Sequence, residues 1–196
     1  MTCFVSGTLI ETAEGALPVE KLRPGTLVMT RDGGLKPLRW VGINPMSNRT
    51  LLDNPHLRPV HVSAGAFGDG LPARDMMVSP NTRLPVAGES NGLLARGGRE
   101  SMVAIKHFVN HRSVQQVDAV GVKYVHIAFQ GHEVVAANGV WVECFDSADY
   151  SLGCVGNAQR CEIFELFPEL KAVQRRRSEP AASSVLKRVL AGRRRR

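Results

Sequence analysis

This sequence has no long apolar runs. Of its 196 residues 43% are apolar, yet no stretch approaches the roughly 18 consecutive apolar residues that a membrane-spanning helix needs. The amino terminus also lacks the basic start and the long apolar segment of a secretory signal peptide. We therefore expect a soluble chain, cytoplasmic as the sequence stands, with enough apolar residues to form a hydrophobic core.

Cysteine is scarce as well. The four cysteines, Cys3, Cys144, Cys154 and Cys161, form no CxxC pair and no dense disulfide framework. A structural zinc site is therefore not predicted, and we expect no metal and no cofactor. Cys154 and Cys161 can pair if the chain meets an oxidising compartment, but free, buried or half-buried thiols are the favoured interpretation.

Acidic residues are nearly absent from the end of the chain. Residues 171–196 carry ten Lys or Arg side chains and one acid, a net charge of +9, whereas the whole chain has +7. The body, residues 1–170, is thus close to neutral, and we predict one domain there followed by a basic, flexible tail over 171–196. The tail favours contact with anionic partners; a solvated tail without a dedicated target is the alternative, and no aromatic residue is present to stack on bases.

Short apolar runs separated by turn residues predict an all-β domain. One hairpin is expected from residues 9–12 and 17–20 around Gly15, and a second from residues 27–30 and 38–41 around Asp32 and Gly33. Further strands are predicted at residues 59–62, 76–78, 84–86, 102–104, 117–120, 124–129, 133–135 and 140–142.

Helical signals come late in the sequence. Residues 44–56 contain two prolines and three asparagines and are predicted to be a loop. Apolar residues at helical spacing occur only at residues 163–170 and again at 185–190, which predicts short helical segments near the carboxy terminus.

A series of motifs in fixed order runs through residues 3–170. It comprises Cys3-Phe4 with Gly7-Thr8, Val19-Glu20 with Pro24-Gly25, Trp40-Val41-Gly42, Arg58-Pro59-Val60, Arg74-Asp75 with Ser79-Pro80, and Tyr124-x-His126 with His132-Glu133. Together these motifs resemble the Hedgehog/intein (Hint) domains, and among them the bacterial subgroup that is not embedded in a large host protein.

The resemblance implies a horseshoe-like all-β fold and cysteine-dependent autoprocessing. The thiol of Cys3 would attack the carbonyl of Thr2 and convert the amide into a thioester. The partner implied is the domain's own N-terminal peptide or a fused upstream segment; because only Met1 and Thr2 precede Cys3 here, we expect little to cleave. Full splicing is not supported, since no His-Asn-Cys/Ser/Thr end is present, and neither is sterol attachment.

One position departs from the family pattern. The family motif Ser/Thr-x-x-His ends in a histidine that protonates the departing nitrogen, whereas Ser79-Pro80-Asn81-Thr82 places Thr82 there. A threonine hydroxyl cannot accept and return a proton near neutral pH, and loss of a general acid lowers a rate by roughly 10²- to 10⁴-fold. Cleavage would then be slow or need another acid. The alternative function is a Hint fold that has lost the chemistry and acts as a binding or structural module.

Other histidines are candidates for the missing acid. The resemblance brings His126 and His132 toward the site, and His61 lies on a strand ahead of Ser79; each also has an interpretation as a packed structural side chain. His56 and the pair His107 and His111 are interpreted as structural.

Three more residues have two interpretations each. Asp75 either orients a histidine or polarises water, or it forms a salt bridge with Arg74 or Arg83. Ser79 either bonds to the scissile peptide or begins a turn before proline. Cys144 is either a second thiol of the site or a small buried hydrophobe.

Overall fold

A computed structural model of the chain describes residues 3–87 and 100–144. The predicted late helices, the domain boundary near residue 170, the basic tail, Thr2, Cys154 and Cys161 lie outside the described residues. The described strands are β1 (Phe4–Val5), β2 (Leu9–Thr12), β3 (Gly15–Pro18), β4 (Leu27–Thr30), β5 (Gly34–Pro37), β6 (Trp40–Ser47), β7 (Val60–Val62), β8 (Met76–Val78), β9 (Arg83–Ala87), β10 (Glu100–Ala104), β11 (Val114–Gln116), β12 (Gly121–Ala128), β13 (Val134–Ala137) and β14 (Val140–Glu143).

The strands form three antiparallel sheets. The first has the order β11-β7-β8-β1-β12-β6, so the short strand β1 lies in its interior. The second has the order β14-β13-β2-β4-β5, with β3 paired to β2, and the third contains β9 and β10 alone. One α-helix, α1 (Asn48–Asp53), and three 3-10 helices (Val19–Lys21, Pro55–Leu57 and Ile105–Phe108) complete the described part of the chain. The all-β prediction is confirmed.

The side chains of β12 alternate as predicted, and its two faces contribute to two different buried clusters. Val125 and Ile127 pack into the main core together with Phe4 of β1. Tyr124, two residues away from His126 along the same face, packs instead with Cys3 in a second, smaller cluster. Because side chains alternate across a strand, β1 and β12 each contribute one face to the main core and one face to the surroundings of Cys3.

The two hairpins form close to the predicted positions. In the first, Gly15 pairs with Thr12 and has a φ of 98°, a conformation that favours glycine. In the second, Gly34 pairs with Thr30, whose hydroxyl donates to the Gly34 carbonyl oxygen at 2.8 Å. This closure starts the return strand β5 directly after the turn, four residues earlier than predicted.

The loop predicted at residues 44–56 is wrong. Strand β6 continues through Pro45 to Ser47, and α1 follows at once. Because β6 is an edge strand of its sheet, it tolerates a residue without an N–H group. The hydroxyl of Ser47 then accepts the N–H of Thr50 at 3.2 Å and caps the helix.

The strand predicted at residues 117–120 is also displaced. The observed strand is β11, which pairs with β7, and Val120 is 89% exposed. The side-chain oxygen of Asn110 accepts the backbone N–H of Ser113 and of Val114 at 3.0 Å each. This asparagine turn directs the chain into β11 three residues earlier than the apolar pattern indicates.

Candidate active site

Strand β1 places Cys3 between two neighbouring strands. Phe4 pairs with Val78 on β8 and with Val125 on β12. Cys3 directly precedes β1, and continuing the same registers by one residue places it opposite Ser79 on one side and His126 on the other. The N–H of Ser79 donates to the Cys3 carbonyl oxygen at 3.1 Å, which continues the pairing. Since directly opposed residues point to the same side of a sheet, the three side chains share one face.

The thiol of Cys3 contacts the imidazole of His126. Their Sγ and Nε2 atoms lie 3.5 Å apart, and the residues are only 6% and 2% exposed. A neutral imidazole that carries its proton on Nδ1 has a lone pair on Nε2, directed at the thiol. The pair can therefore move the thiol proton onto the imidazole without a mediating group.

Thr82 holds the backbone of Cys3. Its hydroxyl donates to the Cys3 carbonyl oxygen at 2.9 Å and accepts the Cys3 N–H at 3.4 Å. The hydroxyl of Ser79 lies 3.0 Å from it, and the Thr82 N–H donates to the Ser79 carbonyl oxygen at 3.0 Å. The single hydroxyl proton of the fully buried Thr82 is thus directed at an oxygen and not at the Cys3 nitrogen.

A small cavity of about 30 Å³ adjoins the thiol. A volume of this size accommodates about two water molecules. Burial, and to a lesser extent the neighbouring Cys3, raises the pKa of Tyr124, so its hydroxyl stays protonated and donates to the Leu57 carbonyl oxygen at 2.6 Å. The cavity is lined by Cys3, Asn44, Met46, His56, Leu57, Ser79, Pro80, Asn81, Tyr124 and His126.

Three of these lining residues were missed or undervalued in the sequence. His56 was interpreted as structural, and Asn44 fell in a stretch predicted to be a loop. Tyr124 had a usable signal, because it lies two residues before His126 on a strand and so shares its face. For His56 and Asn44 no sequence pattern indicates that they line this cavity.

The sequence-family comparison agrees with this architecture. The protein-family model with the description "Hint domain" matches residues 2–149 of the chain. The chain belongs to the Hint domain family. Its fold is accordingly the all-β Hint fold, as the motifs around Cys3 predicted. No curated protein sequence matches the chain.

Solved structures similar to this Hint domain include inteins and an intein-like domain. A DnaB intein from Synechocystis sp. PCC 6803 is 8% identical, with a TM-score of 0.48, 74% of this chain covered and 99% of that chain. The bacterial intein-like domain from Clostridium thermocellum is 13% identical, with a TM-score of 0.42. The match covers 74% of this chain and 99% of that domain. The gp41-1 intein is 11% identical, with a TM-score of 0.41 and coverages of 73% and 98%.

Asp75 of the Hint domain contacts His61, which does not line the Cys3 cavity. One carboxylate oxygen accepts the Ala64 N–H at 2.8 Å, and the other lies 3.3 Å from Nε2 of His61. The Ala64 hydrogen bond, with a smaller contribution from His61, lowers the pKa of Asp75. The carboxylate thus pairs with His61 rather than with Arg74 or Arg83, the alternatives weighed from the sequence.

The structure brings His126 to the thiol and places His132 elsewhere. Nε2 of His132 lies 2.8 Å from a carboxylate oxygen of Glu143, and Arg83 lies 3.6 Å from the other oxygen. Glu143 is buried, and His132 is not among the residues that line the Cys3 cavity. His132 therefore has a buried carboxylate as its partner.

Cys144 is a buried free thiol directly after β14. Burial raises its pKa well above the usual value, and the carboxylates of Glu133 and Glu143 raise it further. The thiol is therefore neutral and a poor nucleophile in the folded Hint domain.

Two further observations concern the described residues as a whole. Within residues 3–87 and 100–144, no group of three or more His, Cys, Asp or Glu side chains is arranged to hold a metal ion. No helix in these ranges is long and apolar enough to cross a membrane.

Proposed function

We propose that this Hint domain cleaves the peptide bond ahead of Cys3 by a cysteine-dependent N-to-S acyl shift. The observation that carries the proposal is the contact of 3.5 Å between Cys3 Sγ and His126 Nε2. The contact is buried and adjoins the small cavity beside the thiol, and the Cys3 N–H next to it donates to the Thr82 hydroxyl. A nucleophile, a proton acceptor and a held leaving nitrogen are the elements that this reaction needs.

The first step transfers the acyl group from nitrogen to sulfur. Nε2 of His126 takes the thiol proton, and the Sγ of Cys3 forms a bond to the carbonyl carbon of Thr2. The bond between that carbon and the Cys3 nitrogen then breaks, and the imidazolium returns the proton to this nitrogen. The products are a thioester on Cys3 and a free α-amine, with no net gain or loss of protons.

The second step releases the upstream segment. Water adds to the thioester carbonyl carbon, the bond to Sγ breaks, and the thiol of Cys3 forms again with a proton from the water. His126 is again within reach of that sulfur and can accept and return the proton. The upstream segment leaves with a carboxyl group at its new end.

His126 supplies the acid that Thr82 cannot. The Thr82 hydroxyl accepts the Cys3 N–H and donates its own proton to the Cys3 carbonyl oxygen. Its role is to hold the backbone of Cys3, with Ser79 as the neighbour that fixes the hydroxyl. In this proposal Ser79 and Thr82 are positioning residues, and the proton moves through His126.

The substrate is the peptide joined ahead of Cys3, whether the domain's own or a fused segment. The basic tail lies outside the described residues, and its contact with anionic partners stays a prediction from charge alone.

A Hint fold without chemistry is the second candidate function. It is favoured by the departure at Thr82, because a direct acid for the leaving nitrogen is replaced by a hydroxyl whose proton is engaged elsewhere. In this case the retained Cys3 is a buried structural residue, and the domain acts as a binding or structural module.

A reporter fusion distinguishes the two functions. A soluble protein is joined ahead of Thr2, and intact mass is followed over time with and without hydroxylamine, which cleaves thioesters. We expect reporter release that hydroxylamine accelerates and that Cys3→Ala abolishes. Equal release from Cys3→Ala would overturn the proposal, and no release from the parent fusion would favour the binding or structural module.

A further inference from the structure

His126 lies between the thiol and a tryptophan. The strand order β1-β12-β6 puts Cys3 on one side of His126 and Gly42 on the other, since Gly42 pairs directly with His126. Trp40, two residues before Gly42, is on the same face of β6. Its ring centre lies 6.4 Å from that of His126, with 32° between the ring planes.

The indole of Trp40 occupies the space that a side chain at position 42 would need. A Cβ atom at Gly42 would lie 2.1 Å from Cη2 and 2.3 Å from Cζ2 of Trp40, well inside van der Waals contact. The φ of Gly42 is outside the left-handed region, so its backbone conformation does not require glycine. Glycine at position 42 is thus needed for space, and the space is filled by the indole.

The indole has little freedom to move elsewhere. Trp40 is 1% exposed and is one of the largest fully buried side chains of the domain. Opposite Trp40 on β12 is Ala128, a small residue, which leaves the diagonal direction toward His126 open to the ring. A side chain at position 42 would therefore push a rigid, enclosed ring against its neighbours.

We propose that Trp40 and Gly42 are positioning residues that aim the imidazole of His126 at Cys3. The χ2 angle of a histidine, which sets the plane of the ring, has a broad range of allowed values. The ring plane is therefore determined by the side chains that pack against it. The indole fills the space next to the His126 imidazole on the side of β6. Nε2 of His126 is therefore directed toward β1 and Cys3. The catalytic meaning of this arrangement rests on the proposed acyl shift, but the arrangement itself can be measured without cleavage.

The first experiment measures the coupling between His126 and Cys3 by NMR. The ring resonances of His126 are assigned with His126→Gln and titrated with pH in the parent and in Cys3→Ala. We expect Cys3→Ala to shift the His126 titration in the parent background and to have no effect in the Gly42→Ala background. Retention of the full shift in Gly42→Ala would overturn the inference.

The chain offers a matched control and a rescue. Gly131→Ala adds the same methyl group where nothing lies within 4 Å and φ is ordinary, and it should keep the coupling. Trp40→Phe shortens the ring, so the double variant Gly42→Ala/Trp40→Phe should regain part of the coupling. Failure of this rescue, with circular dichroism showing intact folding, would mean that position 42 acts by a route other than the indole.

The second experiment uses the reporter fusion. Because displacement of a catalytic group by about 1 Å can lower a rate by about 10²-fold, we expect a loss of that order in Gly42→Ala and none in Gly131→Ala. Parent-like release from Gly42→Ala would contradict the catalytic part of the inference. If even the parent releases nothing, the proposed function fails, while the NMR coupling still decides whether Trp40 and Gly42 position His126.

Discussion

The hydroxyl of Thr82 bridges the two backbone polar groups of Cys3, accepting its N–H at 3.4 Å and donating to its carbonyl oxygen at 2.9 Å. Thr82 therefore lies beside the leaving nitrogen, but its hydroxyl proton is donated to the Cys3 carbonyl oxygen. Separating its structural role from its missing acid function needs two substitutions at the same site.

Thr82→Val tests the structural role. Valine has nearly the same shape but leaves the Cys3 N–H, the Cys3 carbonyl and the Ser79 hydroxyl without this partner. Because the residue is fully buried, we expect a loss of about 1–3 kcal/mol in the free energy of unfolding, measured with urea. A variant as stable as the parent would show that these bonds contribute nothing net.

Thr82→His tests the missing acid. A histidine here could protonate the Cys3 nitrogen directly, and we expect reporter release to rise by as much as roughly 10²- to 10⁴-fold. Circular dichroism must first show that the larger ring is accommodated. If the folded variant releases no more reporter than the parent, the threonine is not what limits the reaction.

The two candidate histidines should behave differently. His126→Gln keeps hydrogen-bonding capacity but removes the proton acceptor beside Cys3, and release should fall by roughly 10²- to 10⁴-fold. His132→Gln is the matched control, because His132 bonds to Glu143 and does not line the cavity. A fall in His132→Gln as large as in His126→Gln, with the fold intact, would contradict this assignment.

Asp75 should give the domain an acid-sensitive contribution to stability. Its pKa is lowered in the folded state from the ordinary 3.8, so the folded state favours the carboxylate. The contribution is present above the ordinary value and is lost as the pH falls through the lower folded value. Urea titrations at several pH values should therefore show Asp75→Asn less stable than the parent at neutral pH, with the difference vanishing in acid.

A suitable control for that experiment is Asp53→Asn. Asp53 forms an exposed pair with Arg49 at 3.9 Å, and exposed pairs of this kind contribute little. A difference for Asp75→Asn that is constant over the whole pH range would show that the Ala64 and His61 contacts do not depend on the charge.

Cys144 should resist alkylation while the domain is folded. Its raised pKa and full burial keep it a thiol without access to reagent. Iodoacetamide followed by peptide mapping should modify Cys144 only after denaturation. Modification at equal rates in the folded and the denatured protein would mean that β14 opens readily.

The sequence predicted the fold well where turn residues and apolar alternation agree, as in the hairpin around Gly15 and in β12. It failed where one side chain redirects the backbone. The Ser47 cap and the Asn110 turn each depend on the hydrogen bonds of one side chain, which leave no periodic pattern to detect. Pro45 led to a loop being predicted where a strand continues. A strand at a sheet edge tolerates proline, but its place at the edge is known only once the sheet is assembled.

The sequence predicted some residues of the candidate site but not their arrangement. Cys3, Ser79, Thr82 and His126 were all named from motifs, yet the choice between His126 and His132 depends on the register of β1 against β12. Register depends on contacts between residues more than a hundred positions apart. The packing of the Trp40 indole over Gly42 could not be predicted for the same reason. Both residues belong to one motif, but the sequence does not show which strand pairs with it.

The interior position of β1 also bears on the equilibrium of the acyl shift. The new α-amine would form in the middle of a sheet, beside a hydroxyl that carries no negative charge. Such an amine has an ordinary pKa of about 8, and burial disfavours its ammonium form. The neutral amine, held next to the thioester by the strands on both sides, is well placed to attack it and restore the amide. Reversal would thus compete with hydrolysis, and the yield of cleavage would depend on how quickly water reaches the thioester.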